Sequence, residues 1–491
     1  PGDVRLQAPP NLSDDFGRLL DAGIDDWGGL SPVTADHVNP ERPWPALDRL
    51  RSLTEDRGFS LSPRLTVYPR YVVAPDRWID PAMRFAVMDR SDAEGLGRDL
   101  DPWLSGGNDA PPSILPAAPR AGGRVGEILA GVLLGQEVNL DEITDLFGAR
   151  GPEVAAVADV ADDLRRRTVG DAVTWVANRN INYTNVCTFK CRFCAFSKGP
   201  LSLNLRGAPY LLTLDDIAER VAEAAAMGAT EVCLQGGIHP DFDGDYYLDV
   251  IKAVRAASST IHIHGFTALE VTEGAKRLGE PLAEYLRRLM AAGLKTLPGT
   301  AAEILDDEIR AELCPDKITT DEWLDAHRVA HSVGLRSNVT IMFGSIERPV
   351  HWARHLVRTR ALQRETGGFT EFVPLPFVHM AAPMYLQRKA RRGPTFREAL
   401  LMHAIGRIAY AGAIDNIQAS WVKLGVEGTR QVLMAGGNDM GGTLINENIS
   451  RAAGATHGQA MDESGFRMIV EPLDRPLEQR TTLYDRVAAA T

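Results

Sequence analysis

VTWVANRNINYTNVCTFKCRFCAF, residues 173–196, joins an apolar run to three closely spaced cysteines. The run VTWVANRNI (173–181) has the length of a buried strand, and Cys187, Cys191 and Cys194 follow it directly. Downstream, short apolar runs alternate with helical segments: TEVCLQGG (230–237), TIHIHGF (260–266), GLKTLPG (293–299), LRSNVTIMFG (335–344), FTEFVPLPF (369–377), NIQASWV (416–422) and QVLMAGG (431–437). Eight such strands in about 260 residues predict an α/β fold, a parallel (β/α)8 TIM-type barrel over 173–445. Active sites of such barrels lie at the C-terminal ends of the strands. The cysteines and the words QGG, PG, FG and AGG all fall at predicted strand ends.

Working outward, residues 124–172 read as an N-terminal helical extension, with Asn139 and Glu142 spaced as a capping box. Residues 91–123, rich in Gly, Pro, Asp and Ser with little periodicity, read as a linker, and 446–491 as a C-terminal extension. LDAGIDDWGGL (20–30) aligns without a gap on LMAGGNDMGGT (433–443), each preceded by an extended stretch containing Gln-Ala, at 4–11 and 416–423. Residues 1–90 therefore read as the closing piece of a second, related barrel whose larger part is absent. A fragment with most of its strands missing is expected to be disordered or to borrow contacts from the complete barrel.

Composition narrows the function. The 491 residues carry 53 Lys and Arg against 65 Asp and Glu, a net charge of −12 that repels a phosphate backbone, so nucleic acid is excluded as a partner. The longest apolar run, 127–135, falls far short of the roughly 18 residues that span a bilayer, and a soluble cytoplasmic protein without membrane association is expected. Five cysteines, odd in number and clustered in a large chain, do not form a disulfide framework.

Spacing of i, i+4, i+7 also fits one face of a helix, but Thr188-Phe189-Lys190 and Arg192-Phe193 between the thiols are poor core filler. A closed zinc site wants four ligands, and Cys233 and Cys314 are single and distant. An iron–sulfur cluster normally takes four thiolates. Three would leave one iron open to an amino-acid chelate such as the methionine end of S-adenosylmethionine (SAM), whose reductive cleavage gives a 5'-deoxyadenosyl radical.

The C-x3-C-x2-C motif with Phe193 before its last cysteine resembles the signature of the radical SAM superfamily. The words NRNINYTNVCTFKCRFCAF, EVCLQGGIHPD, HIHGFTALEV, LPGTAAEIL, LCPDKITTDEW and GGNDMGGTLINENISRAAGATHG resemble the CofH component of FO synthases, over roughly 124–470. QAPPNL and DAGIDDWGGLSPVTADHVNPERPWP resemble the C-terminal part of the CofG component, so the chain is similar to the C-terminal portion of the fused FbiC type. The resemblance implies a 4Fe-4S cluster on Cys187, Cys191 and Cys194, with SAM on its open iron. It implies cleavage of the L-tyrosine Cα–Cβ bond and transfer of the 4-hydroxybenzyl group to C5 of 5-amino-6-(D-ribitylamino)uracil, releasing 2-iminoacetate. A reductant such as flavodoxin or ferredoxin would supply electrons. Ring closure to the deazaflavin FO, precursor of coenzyme F-420, would need the missing CofG-like half, because the CofG-like piece here has no cysteine.

By the same resemblance Phe193 lines the adenine, Gln235, Gly236 and Gly237 receive the methionine amino group, and Glu303 takes the ribose hydroxyls. QGG departs from the commoner Gly-Gly-Glu wording, which bears on Gln235 more than on the glycines. Substrate contacts are expected among His262 and His264, which share one face of a strand, with Glu270, and among Asn438 and Asp439 in the Gly-rich turn at the last strand's C-terminal end. The matching Asp25 and Asp26 allow a turn-forming role instead. Two alternatives stay open: a sister radical SAM enzyme of the aminofutalosine type in menaquinone biosynthesis, and a non-catalytic iron–sulfur or zinc protein.

Overall fold

The first strand is not continuous in the computed structural model, which describes residues 4–487 apart from 14, 32, 99–100, 116–120 and 200–207. It divides into β1 (Val173–Val176) and β2 (Asn178–Ile181), and the two halves have different neighbours. From β2 a parallel sheet runs through β3 (Glu231–Leu234), β4 (His262–Gly265), β5 (Thr296–Leu297), β6 (Arg336–Phe343) and β7 (Phe369–Pro376), in that order. Single parallel bridges, Phe372 to Ile417 and Gln418 to Asp439, carry the ring on to β8 (Asp439–Gly442). β8 pairs with β1, and Arg179 bridges Ile445, so the eight staves close.

The last two staves differ from the sequence expectation. Residues 421–433 form a helix, Trp421–Leu433, and the seventh stave is no more than the bridges at 417 and 418. A short apolar run reads alike for a buried strand and a buried helix. Here Trp421, Val422, Leu424, Val432 and Leu433 are buried at helical spacing. Gly436, at φ +97°, turns the chain into β8, so the Ala-Gly-Gly of 435–437 precedes the eighth strand instead of ending it.

β9 (Leu477–Gln479) pairs with β1 on the edge that β8 leaves free. The residues after it fill the base of the barrel. Arg480 Nε donates to Asp439 Oδ2 at 2.5 Å and Nη2 to Glu371 Oε2 at 3.3 Å, while Tyr484 Oη donates to Glu371 Oε2 at 2.6 Å and Thr482 Oγ1 to Glu231 Oε2 at 2.7 Å. A buried guanidinium is tolerable only with such charged and hydrogen-bonded partners.

Helices Gly123–Leu133, Leu140–Phe147 and Pro152–Val169 form the extension expected before the barrel. Asn139 and Glu142 exchange the capping hydrogen bonds, with Glu142 N to Asn139 Oδ1 at 3.0 Å and Asn139 N to Glu142 Oε2 at 2.9 Å. The stretch read as a linker, of which 99–100 and 116–120 lie outside the described residues, is instead packed on the barrel. Trp103 is fully buried against Phe396, with ring centroids 5.3 Å apart. Asp92 pairs with Arg150 at 2.6 Å and Arg397 at 3.2 Å, and Arg98 Nη1 donates to Gly393 O at 2.7 Å. One large aromatic and a few charged anchors hold it, and none of these raises periodicity.

Residues 4–90 fold into short helices around a small core of Phe16, Leu20, Trp27 and Leu50. They lean on the helical extension through Ser60 Oγ to Arg150 O at 3.0 Å and on the barrel through Phe85 against Tyr385 at 5.7 Å. The internal repeat is a repeat of geometry. Gln7 bridges Asp26 in parallel as Gln418 bridges Asp439. Gly28 N donates to Asp26 Oδ1 at 2.6 Å and Gly441 N to Asp439 Oδ1 at 2.7 Å. Arg64 Nε meets Asp26 Oδ2 at 2.5 Å, as Arg480 Nε meets Asp439 Oδ2. Each guanidinium lies over a tyrosine four residues on, Arg64 over Tyr68 at 4.5 Å and Arg480 over Tyr484 at 4.0 Å. The repeat therefore extends to an Arg-x-Thr-x-Tyr word, at 64–68 and 480–484, that sequence reading missed.

Candidate functional site

The chain leaving β2 enters the cysteine loop, which is fixed on several sides by backbone hydrogen bonds. Thr188 N donates to Ile238 O at 3.0 Å, Cys187 N to Lys198 O at 3.1 Å, Arg192 N to Leu313 O at 2.8 Å and Met384 N to Arg192 O at 2.8 Å. Lys190 N also donates to Asp316 Oδ2 at 2.9 Å. The loop thus takes one shape although its own residues form neither helix nor strand.

Cys187, Cys191 and Cys194 converge on one cavity of about 250 Å³ at the C-terminal mouth of the barrel. Phe193, Gln235, Gly236, Gly237 and Glu303 line the same cavity, so every residue predicted for the cluster and for SAM is brought together. The two glycines are there for want of room. A Cβ on Gly237 would stand 2.2 Å from Val186 O and 2.9 Å from Cys187 Cβ, and one on Gly236 would stand 2.3 Å from the Tyr183 ring. The end of β3 can approach the cysteine loop only without side chains.

Electrostatics set the sulfurs apart. Burial pushes the Cys191 and Cys194 thiols up, and Lys317 pulls both part of the way back. Ile238 N donates to Cys187 Sγ at 3.4 Å and Ser197 N to Cys194 Sγ at 3.3 Å, contacts that suit a sulfur carrying negative charge. Lys317 also holds Glu303 Oε1 at 2.8 Å and lies 5.5 Å from the Phe193 ring centroid. Ala301 and Glu303 have φ of +74° and +47°, a left-handed backbone that non-glycine residues adopt at a cost. Three thiols with two backbone donors, a bare Gly-Gly edge and a nearby cation fit a cluster with a ligand beside it.

The residues proposed for substrate are not brought together there. Asn438 and Asp439 were expected at the C-terminal end of the last strand, but β8 begins at Asp439, so they lie at the base. Asn438 Oδ1 accepts from Arg407 Nη2 at 2.7 Å and from Ile417 N at 2.9 Å, and Asp439 binds Arg480. His262 and His264 both reach Thr296 Oγ1, at 2.8 and 2.7 Å, and neither lines the cavity. Burial, with Glu231 pulling the other way, brings His262 down to about 4, so it is neutral near pH 7. Glu270 is fully buried behind the Gly-Gly edge, where burial pushes its carboxyl up. It caps a helix with Thr267 and accepts from Tyr183 Oη, and from Gly236 N at 3.1 Å, so it holds the glycine edge in place.

Sequence reading missed Lys317, Thr300, Met342 and Lys423 as lining residues. Lys317 and Thr300 had a signal in the LCPDKITTDEW and LPGTAAEIL words; Met342 and Lys423 reach the cavity only through the closure of the ring.

Comparison with known proteins gives matches of three kinds. The radical SAM superfamily matches residues 181–356 and the CofH/MqnC C-terminal region matches 366–475. An FO synthase of Nocardia farcinica is 44% identical over 543 residues, covering 99% of this chain and 62% of that protein. This chain thus spans about 62% of the length of that relative. The 5-amino-6-(D-ribitylamino)uracil–L-tyrosine 4-hydroxyphenyl transferase of Methanopyrus kandleri is 44% identical over 364 residues, covering 72% of this chain and 98% of that protein. Among solved structures, the FeFe-hydrogenase maturase HydG from Carboxydothermus hydrogenoformans superposes with a TM-score of 0.56 at 16% identity, covering 73% of this chain and 80% of that one, a likeness of fold. Among the described residues no helix is long and apolar enough to cross a membrane.

Proposed function

The chain belongs to the radical SAM family that includes the 5-amino-6-(D-ribitylamino)uracil–L-tyrosine 4-hydroxyphenyl transferases, and from that premise we propose that it is the tyrosine-cleaving synthase of the FO pathway. It breaks the Cα–Cβ bond of L-tyrosine and joins the 4-hydroxybenzyl group to C5 of 5-amino-6-(D-ribitylamino)uracil, with 2-iminoacetate as the other product. The observation that carries this reading is the gathering of three thiols, a side-chain-free Gly236-Gly237 edge, Phe193 and Glu303 around one cavity at the barrel mouth.

Cys187, Cys191 and Cys194 hold a 4Fe-4S cluster, and Ile238 N and Ser197 N hydrogen-bond its thiolates. When bound, the cluster and SAM supply a one-electron cleavage that generates a 5'-deoxyadenosyl radical. Every other task falls to the chain itself. Gln235, Gly236 and Gly237 offer backbone to the methionine end of SAM, Phe193 packs the adenine, and Glu303, steadied by Lys317, takes the ribose hydroxyls. Leu269, Met342, Leu375, Phe377 and Val378 add apolar lining, which limits the access of water to radical chemistry. A flavodoxin or ferredoxin supplies the electron, and a CofG-type centre outside this chain completes the ring to FO.

A second reading draws on the name of the matched C-terminal region, CofH/MqnC, which covers the menaquinone-type enzymes as well. Anaerobic reconstitution with iron and sulfide, reduction, and addition of SAM, tyrosine and the ribitylaminouracil tests both. The expected products are 5'-deoxyadenosine and a hydroxybenzyl–uracil adduct without finished FO. Formation of 5'-deoxyadenosine with no loss of tyrosine would overturn the substrate, and Cys191→Ala should abolish both products along with the cluster's visible absorbance.

A further inference from the structure

Three charged side chains line the cavity: Glu303, Lys317 and Lys423. Glu303 and Lys317 neutralise each other at 2.8 Å. Among the described residues Lys423 has no such ion pair. It sits in the first turn of helix Trp421–Leu433, just after the seventh stave, and its main chain is fixed by Gly106 N donating to its carbonyl at 2.8 Å. Its Nζ donates to Ser450 Oγ at 2.9 Å, which occupies one of three ammonium protons. Glu447, the nearest acidic influence, accepts from the backbone N–H groups of Ile449, Ser450 and Arg451, and among the described residues it forms no ion pair with Lys423.

An ammonium buried at a cavity wall with no carboxylate in direct contact, and only Glu447 behind Ser450 to offset it, is unfavourable until an anion meets it. In a ring of eight staves the seventh faces the third across the mouth, so Lys423 stands opposite the arc of Gly236, Gly237 and Glu303. SAM is assigned to that arc, and the ribitylaminouracil carries no fixed charge. The amino-acid substrate does.

The geometry points to Lys423 as the residue that receives the carboxylate of the amino-acid substrate and so aims its Cα–Cβ bond toward the opposite arc, a positioning role that rests on the function proposed above. Ser450 holds the ammonium in line, and the single point charge of a lysine accommodates a carboxylate approaching at varied angles.

Unreduced holoenzyme loaded with SAM runs no turnover, so equilibrium dialysis reads binding alone. Wild type should bind tyrosine well ahead of tyramine, which lacks the carboxylate, and 3-(4-hydroxyphenyl)propionate, which keeps it, should compete. Lys423→Met should lose about 30-fold or more in tyrosine affinity while tyramine and SAM stay within about 3-fold, and Lys423→Arg should keep most of it. Equal weakening of tyrosine and tyramine, or loss of SAM instead, would overturn the assignment, as would a wild type that does not distinguish the two amines. That last comparison needs no variant and stands even if Lys423→Met fails to take up iron. Tyrosine binding that Lys423→Met leaves intact sinks this inference alone; a wild type that binds no tyrosine sinks the proposed function with it.

Discussion

Two regions of this molecule carry one local design, the Gln–Asp–Arg–Tyr cluster at residues 7, 26, 64 and 68 and its counterpart at 418, 439, 480 and 484. The contacts agree to within about half an ångström, yet the surroundings differ. Asp439 and Arg480 are 0% and 3% exposed in their side chains, against 8% and 22% for Asp26 and Arg64. The C-terminal copy also has Glu371, which takes Arg480, Tyr484 and Gln418 together. Among the described residues the N-terminal copy has no second acid in that place, and Tyr68 is shared between Asp26 and Gln7 Oε1, the latter at 3.2 Å. The geometry of the cluster is thus a property of the local sequence, whereas its energetic weight comes from the ring built around it.

Breaking the central pair should separate the copies most. Asp439→Ala leaves a buried guanidinium short of its nearest anion and should cost about 3 kcal/mol of barrel stability, read as a shift in the urea midpoint. Asp26→Ala, in the more open copy, should cost about 1 kcal/mol or less and show mainly as faster proteolysis within residues 4–98. Equal costs would mean that burial is not what distinguishes the two.

The glycines come next. Gly28 and Gly441 have φ of +79° and +69°, so alanine is strained at both by about 1–2 kcal/mol. An added Cβ would lie 2.4 Å from Gln7 Nε2 in one copy and 2.9 Å from Gln418 Cδ in the other. The Gln7 amide is held only by an exposed hydrogen bond from Tyr68 at 3.2 Å, whereas Gln418 Nε2 is held by the buried Glu371 at 3.1 Å. Gly441→Ala should therefore be the more destabilising of the two despite its longer approach, again by urea midpoint.

Acid sharpens the contrast by the smallest margin. Burial pushes the Asp26 carboxyl up, but hydrogen bonds from Arg64 and Gly28 more than offset it and hold it below its ordinary value. Its contribution is then complete above the unfolded pKa of about 3.9 and is lost as pH falls through the lower folded value. Protease protection of the N-terminal segment should hold at pH 5 and fade below pH 4, a fade that Asp26→Asn, lacking the titration, should not show.

Most of the barrel was legible because its strands are short, apolar and punctuated by glycine, and because the three cysteines mark the mouth. Reading failed where one signal has two meanings. The run 431–437 is as apolar as a strand, but it belongs to a helix end and a turn, and that shift by one element moved Asn438 and Asp439 from the mouth to the base. The period-two rule correctly put His262 and His264 on one face of β4 but gives no depth, and both lie below the cavity on Thr296. Trp103 anchors a stretch whose composition reads as a linker, since one buried indole outweighs many polar neighbours. Lys423 reaches the cavity by ring closure between distant segments, which no local pattern records.

The floor of the barrel also sets an order of events during synthesis. β1 receives both of its neighbours, β8 and β9, from sequence made long after it, and Arg480 follows later still. While the ribosome works through the intervening helices the ring can only be an open sheet with a bare edge at β1, a form exposed to misassociation. The thiols at 187, 191 and 194 leave the ribosome early, but the barrel whose mouth they line has a closed base only once β9 and Arg480 have arrived. On the function proposed above, loading of a cluster on those thiols would wait for β9 and Arg480 to close the base.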